Sequence, residues 1–160
     1  MKTNRLPSIL VFLLAMAAGS PSAMAAAEHH HHHGDGEQKL QLNAGKKWAT
    51  DASLRQAMEG INQAMATAVP LIHKNRFSEA DYDKLAADIN EKVAYAVENC
   101  HLAPEADAML HLVIAELSGG AETMAGKGGA SRHDGAVRVL QALKSYGKYF
   151  QHPNWKAAQG

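Results

Sequence analysis

Apolar residues recur every three or four positions along most of the chain after residue 50, which predicts a series of amphipathic helices. The first helix begins at Thr50 or Asp51, since either residue can cap a helix N-terminus. Pro70 lies near its end and is expected to kink or loosen the last turn. The apolar stripe of this helix consists of Leu54, Met58, Ile61, Met65, Ala68 and Ile72.

The second helix has the strongest start signal in the chain. Ser78 occupies the N-cap position and Asp81 the third helical position, which is a capping box with aspartate as its acid. Phe77 and Tyr82 are spaced as a hydrophobic staple around this cap. The apolar stripe then continues to Cys100, so the single cysteine is expected on the apolar face. The stripe consists of Tyr82, Leu85, Ala86, Ile89, Val93, Ala96 and Val97.

Two further helices are predicted in the second half of the chain. Pro104 suits the first position of the third helix, because that position needs no amide donor, and Gly119-Gly120 is expected to end it. A glycine-rich connection at residues 126–129 precedes a fourth helix from about Ser131 to Phe150. Trp155 is expected to fold back on the end of the bundle.

The order of these elements defines the fold class. No segment alternates apolar and polar residues with a period of two, so no strand is predicted. Four helices with mostly short connections predict an all-α domain over residues 50–160, arranged as an antiparallel up-down-up-down four-helix bundle. Residues 26–49 are expected to be a flexible, histidine-rich N-terminal segment and linker.

Residues 1–25 have the pattern of a cleaved signal peptide. Lys2 and Arg5 precede an apolar run at residues 9–18, and a small-x-small cleavage pattern follows at residues 23–25. The apolar run is shorter than the roughly 20 residues that span a bilayer. The protein is therefore expected in the periplasm or secreted, with no membrane anchor after signal cleavage.

The charge of the mature chain excludes two classes of partner. The whole chain has 16 basic and 16 acidic residues, and loss of Lys2 and Arg5 leaves 14 basic residues and a net charge of −2. Nucleic acids and anionic membrane surfaces are bound by basic surfaces. Neither is expected as a partner.

Residues 54–61, Leu-Arg-Gln-Ala-Met-Glu-Gly-Ile, resemble the first helices of small periplasmic four-helix bundles such as cytochrome c-prime and the soluble b-type cytochrome. The resemblance, which extends to helix order and export, implies the bundle fold and Met58 as a ligand of haem iron. The chain has no Cys-x-x-Cys-His attachment motif. Residues 146–149 are Tyr-Gly-Lys-Tyr where the b-type protein carries its axial histidine. Haem is therefore not the expected cofactor, and a haem-binding bundle remains an alternative function.

Five consecutive histidines, His29, His30, His31, His32 and His33, follow the predicted cleavage site. Their number and their position directly behind that site favour a native tract over a purification tag, although both origins remain open. Imidazole nitrogens at this density bind Cu, Ni or Zn. The tract is short and polar, so a metal bound there would remain open to solvent.

A second group of candidate ligands surrounds the turn between the second and third helices. Cys100 and His101 end one helix, while Asp107 and His111 lie four residues apart on the next, and hence on one face. A thiolate with one or two imidazoles suits Cu or Zn, and Asp107 would bind directly or orient His111. In the alternative, Cys100 packs as a small apolar residue, His101 caps its helix, and Asp107 and His111 form an exposed pair.

The predicted function is sequestration or delivery of a transition metal ion, Cu, Ni or Zn. No Ser/His/Asp arrangement with supporting loops, no His-Glu-x-x-His motif and no paired carboxylates in an apolar setting is evident, so no enzymatic activity is predicted. A ligand-free structural or interaction module is a further alternative. That module would include a homodimer joined through Cys100, because one cysteine cannot form a disulfide within its own chain.

Overall fold

The computed structural model describes residues 39–160, which contain four helices. They are α1, Ala52–His73; α2, Glu79–Asn99; α3, Pro104–Met124; and α4, Arg132–Tyr149. No β-strand forms within these residues, where extended pairing is limited to isolated bridges between Asn43 and Lys46 and between Trp48 and Phe150. The prediction of an all-α fold with four helices is confirmed.

The apolar stripes predicted for the helices are buried against one another. Leu54, Met65, Ile89 and Leu117 are completely inaccessible to solvent, and, apart from tyrosines, no polar or charged residue is buried among residues 39–160. Each helix packs against two others, α1 against α2 and α4, and α3 against α2 and α4. One stripe position differs from the prediction, because Val97 is 55% exposed.

Side-chain caps fix the start of three helices. Asp51 accepts a hydrogen bond from the Leu54 amide at 2.8 Å, which settles the start of α1 in favour of Asp51 over Thr50. The capping box at Ser78 forms as predicted, and Phe77 and Tyr82 pack edge to face with ring centroids 4.8 Å apart. A second capping box, between Ser131 and Asp134, starts α4 and was not predicted.

Two glycines that were expected to end the third helix lie inside it. α3 continues through Gly119 and Gly120 to Met124, so the predicted end is wrong. The reason is tertiary packing against α4: a methyl group added at Gly120 would lie 2.8 Å from the Gly135 carbonyl oxygen, and one added at Gly135 would lie 2.6 Å from the Gly120 carbonyl oxygen. These glycines allow two helix backbones to approach closely, and that contact outweighs the low helix propensity of glycine.

The segments that flank the helices pack onto them. α1 continues through Pro70 to His73, so the proline is accommodated within the last turn. The Trp48 amide donates to the Tyr149 carbonyl at 2.8 Å, and the Gln151 amide donates to the Trp48 carbonyl at 2.8 Å. Trp155 packs edge to face on the buried Tyr146 ring, with centroids 4.8 Å apart, which confirms that it folds back.

Candidate functional site

The predicted ligands around the α2–α3 turn line one surface depression, the Cys100 cleft. α2 ends at Asn99 and α3 begins at Pro104, so a very short connection brings the end of one helix close to the first turns of the next. The cleft has a volume of about 430 Å³. Its lining residues are Val97, Cys100, His101, Leu102, Asp107, Leu110, His111 and Ile114.

The two histidines of the cleft use the same ring nitrogen for contacts with the main chain. His111 Nδ1 lies 2.9 Å from the Asp107 carbonyl oxygen, and His101 Nδ1 lies 3.1 Å from the Asn99 carbonyl oxygen. A neutral imidazole that donates its Nδ1 proton to a carbonyl carries its free lone pair on Nε2. In that tautomer, Nε2 is the metal-binding atom of each ring.

Cys100 is a partly buried free thiol that packs against the apolar core. Burial raises the pKa of the thiol, and the nearby carboxylates of Asp51 and Asp107 raise this pKa further. Cys100 is therefore a protonated thiol at neutral pH unless a cation displaces the proton. The same two carboxylates make the surroundings of the thiol favourable for a positive ion.

The side chains in the cleft do not converge on one point. Among residues 39–160, no three His, Cys, Asp or Glu side chains are placed to hold a single metal ion. Asp107 Oδ2 and His111 Nδ1 lie 3.4 Å apart, with side chains that are 44% and 61% exposed. The i,i+4 pair of the alternative interpretation is present, and the thiol lies in the same cleft.

Asp51 also belongs to this region, although the sequence predicted for it only the role of a helix cap. Its Oδ1 accepts from the Leu54 amide, and its Oδ2 accepts from the His101 amide at 2.5 Å. One carboxylate therefore starts α1 and anchors the α2–α3 turn. Fifty positions separate Asp51 from His101, and no local pattern in the sequence indicates this contact.

The structure buries Met58 in the centre of the helical domain. Its side chain is 1% exposed and belongs to the continuous apolar core. A methionine at such a position fills the core, and haem ligation would require the surrounding side chains to move apart.

A second polar group, the His152 cluster, lies beside the end of α4 and was not predicted. His152 Nδ1 is 3.0 Å from the Tyr146 hydroxyl, and His152 Nε2 is 3.8 Å from Glu59 Oε2. Trp155 packs against both rings, and its indole Nε1 is buried with no hydrogen-bond partner among the residues described. His152 follows the end of a helix and precedes a proline, so the sequence around it predicted only that the helix ends there.

The histidine tract and the predicted signal peptide lie outside the described residues, which begin at Lys39. The metal ligands predicted at His29 to His33, and the cleavage site before them, stay predictions. No helix within residues 39–160 has both the length and the apolar character needed to cross a membrane.

Comparison with known proteins provides no relative from which a function can be transferred. No protein-family model matches the chain, and neither a curated protein nor a solved structure is significantly similar to it. The resemblance to the periplasmic cytochrome bundles therefore stays a prediction.

Proposed function

We propose that the protein is an exported transition-metal-binding protein that sequesters or delivers Cu, Ni or Zn. The histidine tract captures the ion, and the Cys100 cleft provides a second, more ordered site. One observation carries the cleft site: four side chains predicted as ligands, from the end of α2, the turn and α3, line the same depression. Imidazole and thiolate are ligands preferred by these metals.

The chemistry of the donors supports this assignment. His101 and His111 each have Nδ1 next to a main-chain carbonyl, the outer-shell contact that typically orients a metal-binding histidine. Asp107 lies 3.4 Å from His111 and is positioned to orient it or to bind the ion. Cys100 releases its proton as the metal binds, and Asp51 and Asp107 attract the cation.

Ion binding in the cleft requires side-chain rotation. His111 is 61% exposed and lines the cleft. Fixing each imidazole costs about 0.5–1.5 kcal/mol, which is small beside the free energy of a coordinated transition metal. The cleft is thus a site that forms around the ion, consistent with exchange of metal between protein and partner.

Described residues of the segment before α1 lie beside the α2–α3 turn. Asn43, Trp48 and Asp51 line a neighbouring depression of about 490 Å³ together with His101. The histidine tract is thus tethered, through residues 34–42, to a segment that contacts the α2–α3 turn. Such a tether raises the local concentration of captured metal near the cleft.

We also propose that the four helices form an antiparallel up-down-up-down bundle. Consecutive helices are joined by short connections, the longest being residues 125–131 between α3 and α4. The contacts α1–α2, α2–α3, α3–α4 and α1–α4 close a ring, as expected when each helix reverses the direction of the previous one.

Metal titration of matched variants tests the proposed function. We compare the chain from residue 26, the same chain without residues 29–33, and that deletion combined with Cys100→Ala and His111→Ala. His73→Ala with His133→Ala is the control, since both histidines are exposed elsewhere on the surface. The deletion is expected to retain one ordered site, and the combined variant to bind Zn²⁺ at least tenfold more weakly. If the combined variant and the deletion bind equally, the cleft is not a metal site.

A further inference from the structure

The last residues of the chain close one side of the helical domain. Of the four neighbouring helix pairs, α1 and α4 contact each other least. Residues 151–160, here called the C-terminal strap, lie over this side. The Asn62 side chain of α1 holds the strap with two hydrogen bonds, donating to the Lys156 carbonyl at 2.9 Å and accepting from the Ala158 amide at 2.7 Å.

The strap also packs closely on α4. Trp155 lies directly over Gly147, where an added methyl group would collide with the indole Cδ1, so only glycine leaves room for the ring. Gly160 lies against Leu140. The strap begins at Gln151, whose carbonyl accepts from the Thr50 hydroxyl at 2.6 Å. It is therefore a defined part of the fold, attached to both helices.

A histidine holds the first turn of the strap to the core. The His152 side chain is only 9% exposed, and its Nδ1 faces the hydroxyl of the fully buried Tyr146 at 3.0 Å. A buried hydroxyl needs an acceptor for its proton, and Nδ1 is the acceptor present. His152 is therefore neutral, with its own proton on Nε2, on the side of Glu59.

Protonation of His152 breaks this arrangement. Once Nδ1 carries a proton it can only donate, so the Tyr146 hydroxyl loses its acceptor and a charge is placed in a largely apolar setting. Burial lowers the pKa of His152, Glu59 partly opposes this effect, and Arg55 adds to it. Burial also raises the pKa of Tyr146. Arg55 lowers this pKa slightly, and Asp51 and Glu59 raise it slightly.

We propose that the C-terminal strap is a pH-dependent closure, in which protonation of His152 releases residues 151–160 from α1 and α4 and uncovers the groove between these helices. His152 Nδ1 and the Tyr146 hydroxyl form the latch. Asn62 and the packing of Trp155 on Gly147 hold the rest of the strap while the latch is closed.

The direction of the pH dependence follows from linkage. The attached strap binds a proton at His152 less readily than the released strap, whose histidine has an ordinary pKa of about 6.5. Attachment is therefore fully favoured above about pH 6.5 and weakens as the pH falls towards the depressed pKa of the attached state. In that interval the ratio of released to attached strap rises by up to tenfold per pH unit.

The test follows individual NMR signals of the whole chain from pH 8 to pH 5. The Ala158 amide and the Trp155 indole report on the strap, and core amides such as that of Leu117 report on the helices. We expect the strap signals to move to their released positions at a pH below 6.5 at which the core signals are unchanged. Simultaneous change of strap and core, or no change in the strap, would contradict the proposal.

Three variants identify the group that titrates. Glu59→Gln removes the carboxylate that favours protonation, and should shift the midpoint of release to lower pH. His152→Gln should abolish the transition, leaving a strap whose state does not depend on pH. His133→Gln removes an exposed histidine that lines the groove beside residues 157–160, and should leave the midpoint unchanged because the latch is formed by His152. An unchanged midpoint in Glu59→Gln, or a wild-type transition in His152→Gln, overturns the assignment to His152.

Discussion

Replacement of Asp51 by alanine should destabilise the domain more than loss of an ordinary helix cap. The carboxylate accepts one hydrogen bond from the Leu54 amide at 2.8 Å and one from the His101 amide at 2.5 Å. Loss of an N-cap costs about 1 kcal/mol. Loss of a hydrogen bond to a charged acceptor costs about 1.5–3 kcal/mol. We take the lower value, because the His101 amide can form a hydrogen bond with water in the variant. We expect a total of about 2–3 kcal/mol.

Urea denaturation followed by far-ultraviolet circular dichroism measures this difference. With a denaturant dependence of about 2 kcal/mol per molar, the midpoint for Asp51→Ala should fall by about 1 M or more. Ser78→Ala is the matched control, since Ser78 also caps a helix but its side chain is hydrogen-bonded only to Asp81 in its own helix. Its expected cost is about 1 kcal/mol. Equal costs for the two variants would show that the contact with His101 contributes nothing to stability.

Three further predictions concern other parts of the domain. Asp51→Asn should lower the pKa of the Cys100 thiol, since Asp51 contributes to raising it, and alkylation rates measured against pH should show the shift. Gly135→Ala should lower the unfolding free energy by about 1–3 kcal/mol, because the added methyl group would lie 2.6 Å from the α3 backbone. Gly60→Ala is the control: its methyl group would contact only a flexible lysine side chain at 3.2 Å, so thermal denaturation should show unchanged or higher stability. The hydrogen bond from the capping serine side chain lowers the pKa of Asp134, so this contribution to stability is present above about pH 4 and is lost as the pH falls. Asp134→Asn should therefore reduce the loss of unfolding free energy as the pH falls below about 4.

Local patterns in the sequence were sufficient to predict the helices. The apolar stripes repeat with the period of an α-helix, and the cap at Ser78 and the proline at position 104 depend only on residues within one turn. The end of α3 was not predictable in this way. Gly119 and Gly120 terminate a helix in isolation, and only the approach of Gly135 from α4 explains why the helix continues.

The sequence predicted which residues form the candidate site but not how their side chains are arranged. Sequence placed Cys100, His101, Asp107 and His111 around one turn, and all four line one cleft. Which atoms face each other depends on rotamers and on contacts from distant segments. Asp51 joins the site through a contact fifty positions away, and His152 meets Glu59 across two elements. Neither contact produces a periodic pattern in the sequence, so neither could be predicted from it.

The pairing of Trp48 with Phe150 determines when folding can be completed during synthesis. Trp48 lies before the first helix and exchanges main-chain hydrogen bonds only with residues 149 and 151. α1 and α2 can therefore form and pack while the ribosome is still adding residues, but the Trp48 main-chain groups have no partner until the end of α4 has emerged. A nascent chain keeps the side between α1 and α4 open through most of its translation. Arrest of translation before residue 150 should leave a helical chain that remains accessible to chaperones and proteases.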